Sequence, residues 1–329
     1  MQVTMQENRC GIRAVVAAVI LGVAAFAADA AETYPTRPIR VVVGFTAGTT
    51  TDFTARLLGE ALSQRFGQNV VVENRPGANS GLANQLVGQS TPDGHTLLIG
   101  TLSLVTGPML YKNLPFDPKD FAPVSLVVLS PNVICVYPGV QAQSIKELIV
   151  LAKSQPGKLR YGSSGRGSSA FLTLELFKSM AAINLQEIPY KATSQAVADT
   201  MGGQIEIYPP NLVSAIPMLK TGRLRALAVT SAKRSPSLPD VPAVSEAVPG
   251  YDATTGVYGI LVPIKTPEAI IERLHREIAQ VTHSASFKNE MGKRGGEALG
   301  SSPQEYSAYL KRERDKWGRL FAQLGIKPE

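Results

Sequence analysis

Cysteine and histidine are scarce in this chain. Two cysteines among 329 residues exclude a disulfide framework. Cys10 precedes an apolar run, and Cys135, flanked by Ile134 and Val136, reads as a small buried hydrophobe. The three histidines are all expected at the surface, His95 in a turn, His275 and His283 on a charged helix. No base is left for a Ser-His-Asp triad, and the spacing of His275 and His283 does not pair metal ligands. No cofactor is expected. Aromatics are only 6%, and Lys and Arg are scattered, so a net charge of +7 leaves no nucleic-acid footprint. The densest run, KRERDK at 311–316, alternates in sign and reads as a solvated helix face. A basic surface of this kind draws in small anions.

Long hydrophobic runs are missing too. AVVAAVILGVAAFAA at 14–28 has about 15 residues, short of the roughly 20 that span a bilayer. Arg9 and Arg13 precede it and Ala28-Asp29-Ala30 follows, which gives an n-region, an h-region and an A-x-A cleavage site. Residues 1–30 are therefore expected to be a signal peptide cleaved near Ala30, and the mature protein to be exported. Without disulfides it must rely on the size of its core, and a chain of this length, 44% hydrophobic, can supply one.

What is present is alternation. IRVVVGF at 39–45 suits a strand buried on both faces, and Phe53, Leu57, Leu58, Leu62 and Phe66 follow at helical spacing until Gly67. Further strands are expected in QNVVVENRPG, HTLLIGT, APVSLVVLS, NVICVYP, KLRYGSS, LQEIPY, QIEIY, LRALAVT and VYGILVP. Ser144 with Glu147, Thr266-Pro267, and Ser302-Pro303 with Glu305 are expected helix caps. The pattern predicts an α/β architecture with largely parallel sheets. The elements are too many for one unit and no flexible linker divides them. Two Rossmann-like α/β lobes are expected, 31–134 with 255–329 in one and 135–254 in the other.

Two hydroxyl-rich loops follow strands and precede helices, where ligands bind in such sheets. They lie in VVVGFTAGTTTD (41–52) and LRYGSSGRGSSA (159–170). Gly162-Ser163-Ser164-Gly165-Arg166 breaks the G-x-S-x-G spacing of a hydrolase elbow. Gly165-x-Gly167-x-x-Ala170 matches a dinucleotide fingerprint, with Glu187 about twenty residues on, but Glu187 falls near the start of its strand. A dinucleotide-binding enzyme is the rival reading. Plain N-capping explains one or two hydroxyls per loop. Thr49, Thr50 and Thr51, and Ser163, Ser164, Ser168 and Ser169, exceed that number. Added to about four unpaired amides and roughly half a positive charge at each helix start, they suit an oxyanion without any side-chain cation.

Longer stretches carry a resemblance. YPTRPIRVVVGFTAGTTTDFTARLL, VVVENRPGANSG, KLRYGSSGRGSS, IPYKATSQAVADTMGGQIEI and LRALAVTSAKRSPSLPDVPAVSEAVPGY resemble the Bug solute receptors of tripartite tricarboxylate transporters, from about Tyr34 to Glu329. The resemblance implies a two-lobed periplasmic binding protein of the type II kind, with its ligand in the cleft, and no enzymatic activity. By position it points to Phe45, Gly48, Thr49, Thr50, Thr51 and Asp52, to Ser103, to Ser164, Gly165, Gly167, Ser168 and Ser169, and to Asn211 as ligand-binding residues. Asp52 is expected to orient its loop, since it would repel an anion. The implied partners are a small carboxylate and, transiently, membrane permease subunits, with the receptor itself a monomer. A sensor that presents its bound carboxylate to a membrane signalling partner would share the fold and the site. Thr46-Ala47-Gly48-Thr49 departs from the family's usual P-P-G-G, and Pro209-Pro210 stands where Phe-Asp is usual before Asn211. The lost acid argues against an amino-acid ligand. The apolar LSLVTGPML after Thr101 favours an apolar or aromatic carboxylate over citrate.

Overall fold

The computed structural model describes residues 34–329. The signal-peptide expectation for 1–30, and Cys10 with it, falls outside that range. In chain order the elements are β1 (Ile39–Val43), α1 (Thr50–Phe66), β2 (Val70–Asn74), α2 (Gly81–Gly88), β3 (Thr96–Gly100), α3 (Ser103–Leu110) and β4 (Phe121–Ser130). Then come β5 (Val133–Val136), α4 (Ile145–Ser154), β6 (Arg160–Ser163), α5 (Ser169–Ala181), β7 (Gln186–Pro189), α6 (Thr193–Met201), β8 (Ile207–Tyr208), α7 (Leu212–Leu219) and β9 (Arg225–Val229). The chain ends with β10 (Gly256–Pro263), α8 (Glu268–His283), α9 (Ala285–Gly292), β11 (Glu297–Ala298) and α10 (Pro303–Gln323).

The strands form a six-stranded sheet, β11-β4-β10-β3-β1-β2, and a five-stranded one, β7-β6-β8-β5-β9. Each is the centre of one lobe. Alternation along β1 explains why both faces of the first sheet are covered. Val41 and Val43 pack with Leu58 and Leu62 of α1 and Leu274 and Ile278 of α8. Val42 points the other way, to Ala83 and Val87 of α2 and Trp317 and Phe321 of α10. In the second sheet Tyr161 meets Leu174 and Phe177 of α5, while Cys135, fully buried, packs with Leu212 and Ala215 of α7. Burial pushes the Cys135 thiol pKa up, which keeps it an inert hydrophobe.

Four expectations need correction. The sheets are mixed rather than largely parallel: among the described residues β1 pairs in parallel with β2 and β3, and β6 with β7 and β8, whereas β10 is antiparallel to both β3 and β4, and β5 to both β8 and β9. Outgoing β4 and returning β10 lie side by side, so they must run in opposite directions. Secondly, Val133 and Ile134 pair with β9 in the second sheet, so the outgoing chain crosses at Pro131 and Asn132, ahead of the expected boundary. Thirdly, His95 is buried, its ring edge-on to Tyr34 at 5.0 Å, because the Tyr34 hydroxyl donates to Gly94 O (2.6 Å) and folds the N-terminal segment over the turn. Finally, the Thr266 hydroxyl makes no cap; α8 begins at the Pro267 carbonyl, which accepts from the Ile270 and Ile271 amides.

Candidate functional site

The first loop is shaped by glycine and by a carboxylate behind it. A Cβ on Gly44 would fall 1.9 Å from Ser80 Oγ, so only glycine lets the 78–80 turn close against the end of β1. Gly48 turns the chain at φ +81°, and Thr49 caps α1 by accepting from the Asp52 amide. Asp52 points away from the loop mouth. Its carboxylate accepts from Gly48 N (3.0 Å), Asn74 Nδ2 (2.9 Å) and Arg56 Nε (3.0 Å). Burial opposes its ionisation, but the Arg56 guanidinium, with the Gly48 amide and Asn74, outweighs burial and holds the pKa below the ordinary carboxylate value. Thr50 and Thr51, both buried, then open the helix with amides that have no intrahelical acceptor. The Thr50 hydroxyl makes no hydrogen bond of good geometry among the described residues.

The second loop repeats the plan. Ser163 ends β6; its hydroxyl donates to Glu187 and accepts from Gly165 N (2.9 Å). Gly165 and Gly167 adopt φ of +102° and +80°. Ser168 caps α5 by accepting from the Phe171 amide. The Ser169 hydroxyl lies 2.9 Å from Asn132 Oδ1 and 2.7 Å from Thr255 Oγ1, one on each segment where the chain crosses between lobes. Burial pushes the Glu187 pKa up, with the Glu175 charge adding to it and the Ser163 hydrogen bond easing it. A dinucleotide site needs this carboxylate free to take a ribose hydroxyl, and here Ser163 occupies it behind the loop.

The two loops face one cavity of about 220 Å³. Phe45, Gly48, Thr49, Thr50, Thr51, Ser103, Ser164, Gly167, Ser168, Ser169 and Asn211 all line it. Asp52 and Gly165 do not; both shape the loops from behind. Sequence reasoning missed Asn79, Asn132, Thr193, Ser194, Ser214 and Thr255 on the walls. Thr193 and Ser194 open α6, Asn211 and Ser214 open α7, and Ser103 opens α3. Five helix N-termini (α1, α3, α5, α6 and α7) therefore border one space. Asn79, Thr193, Ser194 and Ser214 follow the same strand-to-helix rule that singled out the two loops, whereas Asn132 and Thr255 lie on the crossings between the lobes, where that rule gives no signal. Among the described residues no Asp, Glu, Lys, Arg or His lines the cavity. Nor, among them, could any cluster of three His, Cys, Asp or Glu side chains hold a metal.

Such a cavity between two α/β lobes, bordered by helix N-termini, has the form of a solute receptor's binding cleft. The chain belongs to the tripartite tricarboxylate transporter family of receptors, whose family model, "Tripartite tricarboxylate transporter family receptor", matches residues 54–326. It is 38% identical over 314 residues to a UPF0065 protein of Bordetella bronchiseptica, covering 95% of this chain and 92% of that one. Its fold is similar to that of R. palustris Rpa4515 with adipate (TM-score 0.87, 35% identity, 90% of this chain and 100% of that one). It is also similar to the periplasmic binding protein BugD (TM-score 0.84, 32% identity, 90% and 100%).

Proposed function

We propose that the protein is exported, captures a small carboxylate between its lobes as a monomer, and delivers it unchanged to a tripartite-type membrane permease. The observation that carries this reading is the convergence of five helix N-termini on a cavity without charged side chains. Unpaired amides and helix dipoles favour an anion there by up to ~2 kcal/mol per helix end. Three charge-assisted hydrogen bonds at ~1.5–3 kcal/mol each bring the sum to the roughly 8 kcal/mol of micromolar binding, before association entropy is subtracted. In this reading the carboxylate sits between the starts of α1 and α5, near Thr50, Thr51, Ser168 and Ser169. Phe45, Val197, Tyr208, Pro209 and Met218 supply an apolar wall for the rest of the molecule. That wall favours a carboxylate with an apolar body over citrate. Rpa4515, a relative of the same fold, was solved with adipate, which fits this description.

A thermal-shift screen of mono-, di- and tricarboxylates, aromatic ones included, tests the proposal. A ligand at a hundredfold excess over its Kd adds about 2.7 kcal/mol of stability. A screen in which only nicotinamide or flavin nucleotides stabilise the protein would overturn it.

A further inference from the structure

The serine loop of the second lobe is gripped by side chains of the first. Asn79 Nδ2 and the Tyr111 hydroxyl both donate to Arg166 O, at 3.0 and 3.2 Å. Thr106 Oγ1 lies 3.2 Å from Gly167 O, sharing its one proton with Leu102 O at 3.0 Å. The Arg166 guanidinium extends to Glu329 Oε2 at 2.6 Å. Glu329 is itself fixed to the first lobe, its amide donating to Leu110 O (3.1 Å) and its carbonyl accepting from Lys112 N (2.9 Å).

We propose that Asn79, Thr106, Tyr111 and Glu329 form a clasp that draws the two lobes together and positions the serine loop, so that the chain's own contacts populate the closed state. The clasp deepens the receptor reading by naming what tunes its affinity, and it rests on that reading for any effect on ligand. The closure equilibrium itself does not depend on the reading.

Two independent features show that the sequence is built for this close approach. A Cβ on Gly167 would meet Leu110 Cδ1 at 2.9 Å and Thr106 Oγ1 at 3.0 Å, so the lobes meet where only glycine fits. On the other side, Ala78, Asn79 and Ser80 hold left-handed φ values of 48°, 48° and 75°. Such a run of non-glycine residues is costly and persists only where its surroundings enforce it. It presents the Asn79 amide to Arg166 O. Each hydrogen bond shifts the closed-to-open ratio by a factor of about two to ten. The ion pair contributes less, because Glu329 is largely exposed and salt screens it.

Small-angle scattering of the ligand-free protein at low salt is the test. Wild type is compared with Tyr111→Phe/Glu329→Gln and with the exchanged pair Arg166→Glu/Glu329→Arg, and circular dichroism verifies that each is folded. The radius of gyration of Tyr111→Phe/Glu329→Gln should rise, the exchanged pair should stay near wild type, and 1 M salt should expand wild type partway. Superimposable curves for wild type and Tyr111→Phe/Glu329→Gln overturn the clasp. In parallel, calorimetry with adipate should show about tenfold weaker binding for Tyr111→Phe/Glu329→Gln and recovery in the exchanged pair. If wild type binds neither adipate nor any screened carboxylate, the receptor reading falls, while the scattering still decides the clasp.

Discussion

The two hydroxyl-rich loops share a geometry and differ in what stands behind them. Each runs from a strand through positive-φ glycine (Gly48 in one, Gly165 and Gly167 in the other) to a helix capped by its own hydroxyl, Thr49 in one and Ser168 in the other. Each is backed by a carboxylate turned away from the cavity. Asp52 binds its loop amide directly and has a guanidinium partner that keeps it ionised. Glu187 works through the Ser163 hydroxyl in a more desolvated setting, which raises its pKa. The lesson is that a carboxylate can shape a loop proposed to hold an anion provided it faces the back of that loop. There it consumes the donors that would otherwise splay the turn, and its repulsion of the ligand is blunted.

Breaking the second loop's close approach should have the largest effect. Gly167→Val adds a clash with Leu110 and Thr106 in a backbone conformation valine rarely adopts. Affinity for a carboxylate that the thermal-shift screen identifies should fall by about a hundredfold or more in calorimetry, from ~3 kcal/mol of strain. Next, Asp52→Ala removes the acceptor of the Gly48 amide and the Arg56 partner, and should lower urea-derived stability by about 1–2 kcal/mol. Thr50→Ala with Ser168→Ala takes one hydroxyl from each loop. Affinity should fall roughly tenfold, and loss of the Ser168 cap on α5 should cost about 1 kcal/mol of stability without unfolding the protein.

The smallest effect separates the two carboxylates by pH. A lowered pKa means that Asp52's contribution to stability is present above the unfolded carboxylate value and lost as pH falls through its folded value. Glu187, with its pKa raised, has the opposite sign: stability declines as pH rises from the unfolded value through the folded one. Glu187→Gln should flatten that decline in a melting-temperature profile, and Asp52→Asn should flatten the acid limb. Identical profiles for the two variants would mean that the loops are not backed in different ways.

Much of this was legible in the sequence because it is local. Strand, glycine, hydroxyl and helix start follow one another within a dozen residues in both loops, and Gly67, in the left-handed conformation, ends α1 as its pattern predicts. Strand direction is not local. Whether β10 lies parallel or antiparallel to β3 depends on where the chain returns from the other lobe, which no short window encodes. α3 escaped notice because Gly107 and Pro108 interrupt it and no side chain caps it. At α6 and α7 only Asn211 was read from the sequence; Thr193, Ser194 and Ser214 escaped, and neither helix has a side-chain cap hydrogen bond at its start. His95 read as exposed because the residue that buries it, Tyr34, lies sixty-one positions earlier in the chain.

Ser169 has one more implication. Its hydroxyl joins Asn132 and Thr255, so an element that lines the cavity is bolted to both ropes of the pivot. Altering the grip there also alters how freely the jaws swing. New solute preferences can therefore arise with least mechanical disturbance at Thr193, Ser194 and Ser214, which border the same chamber and hold neither rope. Descendants with different diets should diverge at those three positions while the bolt stays as it is.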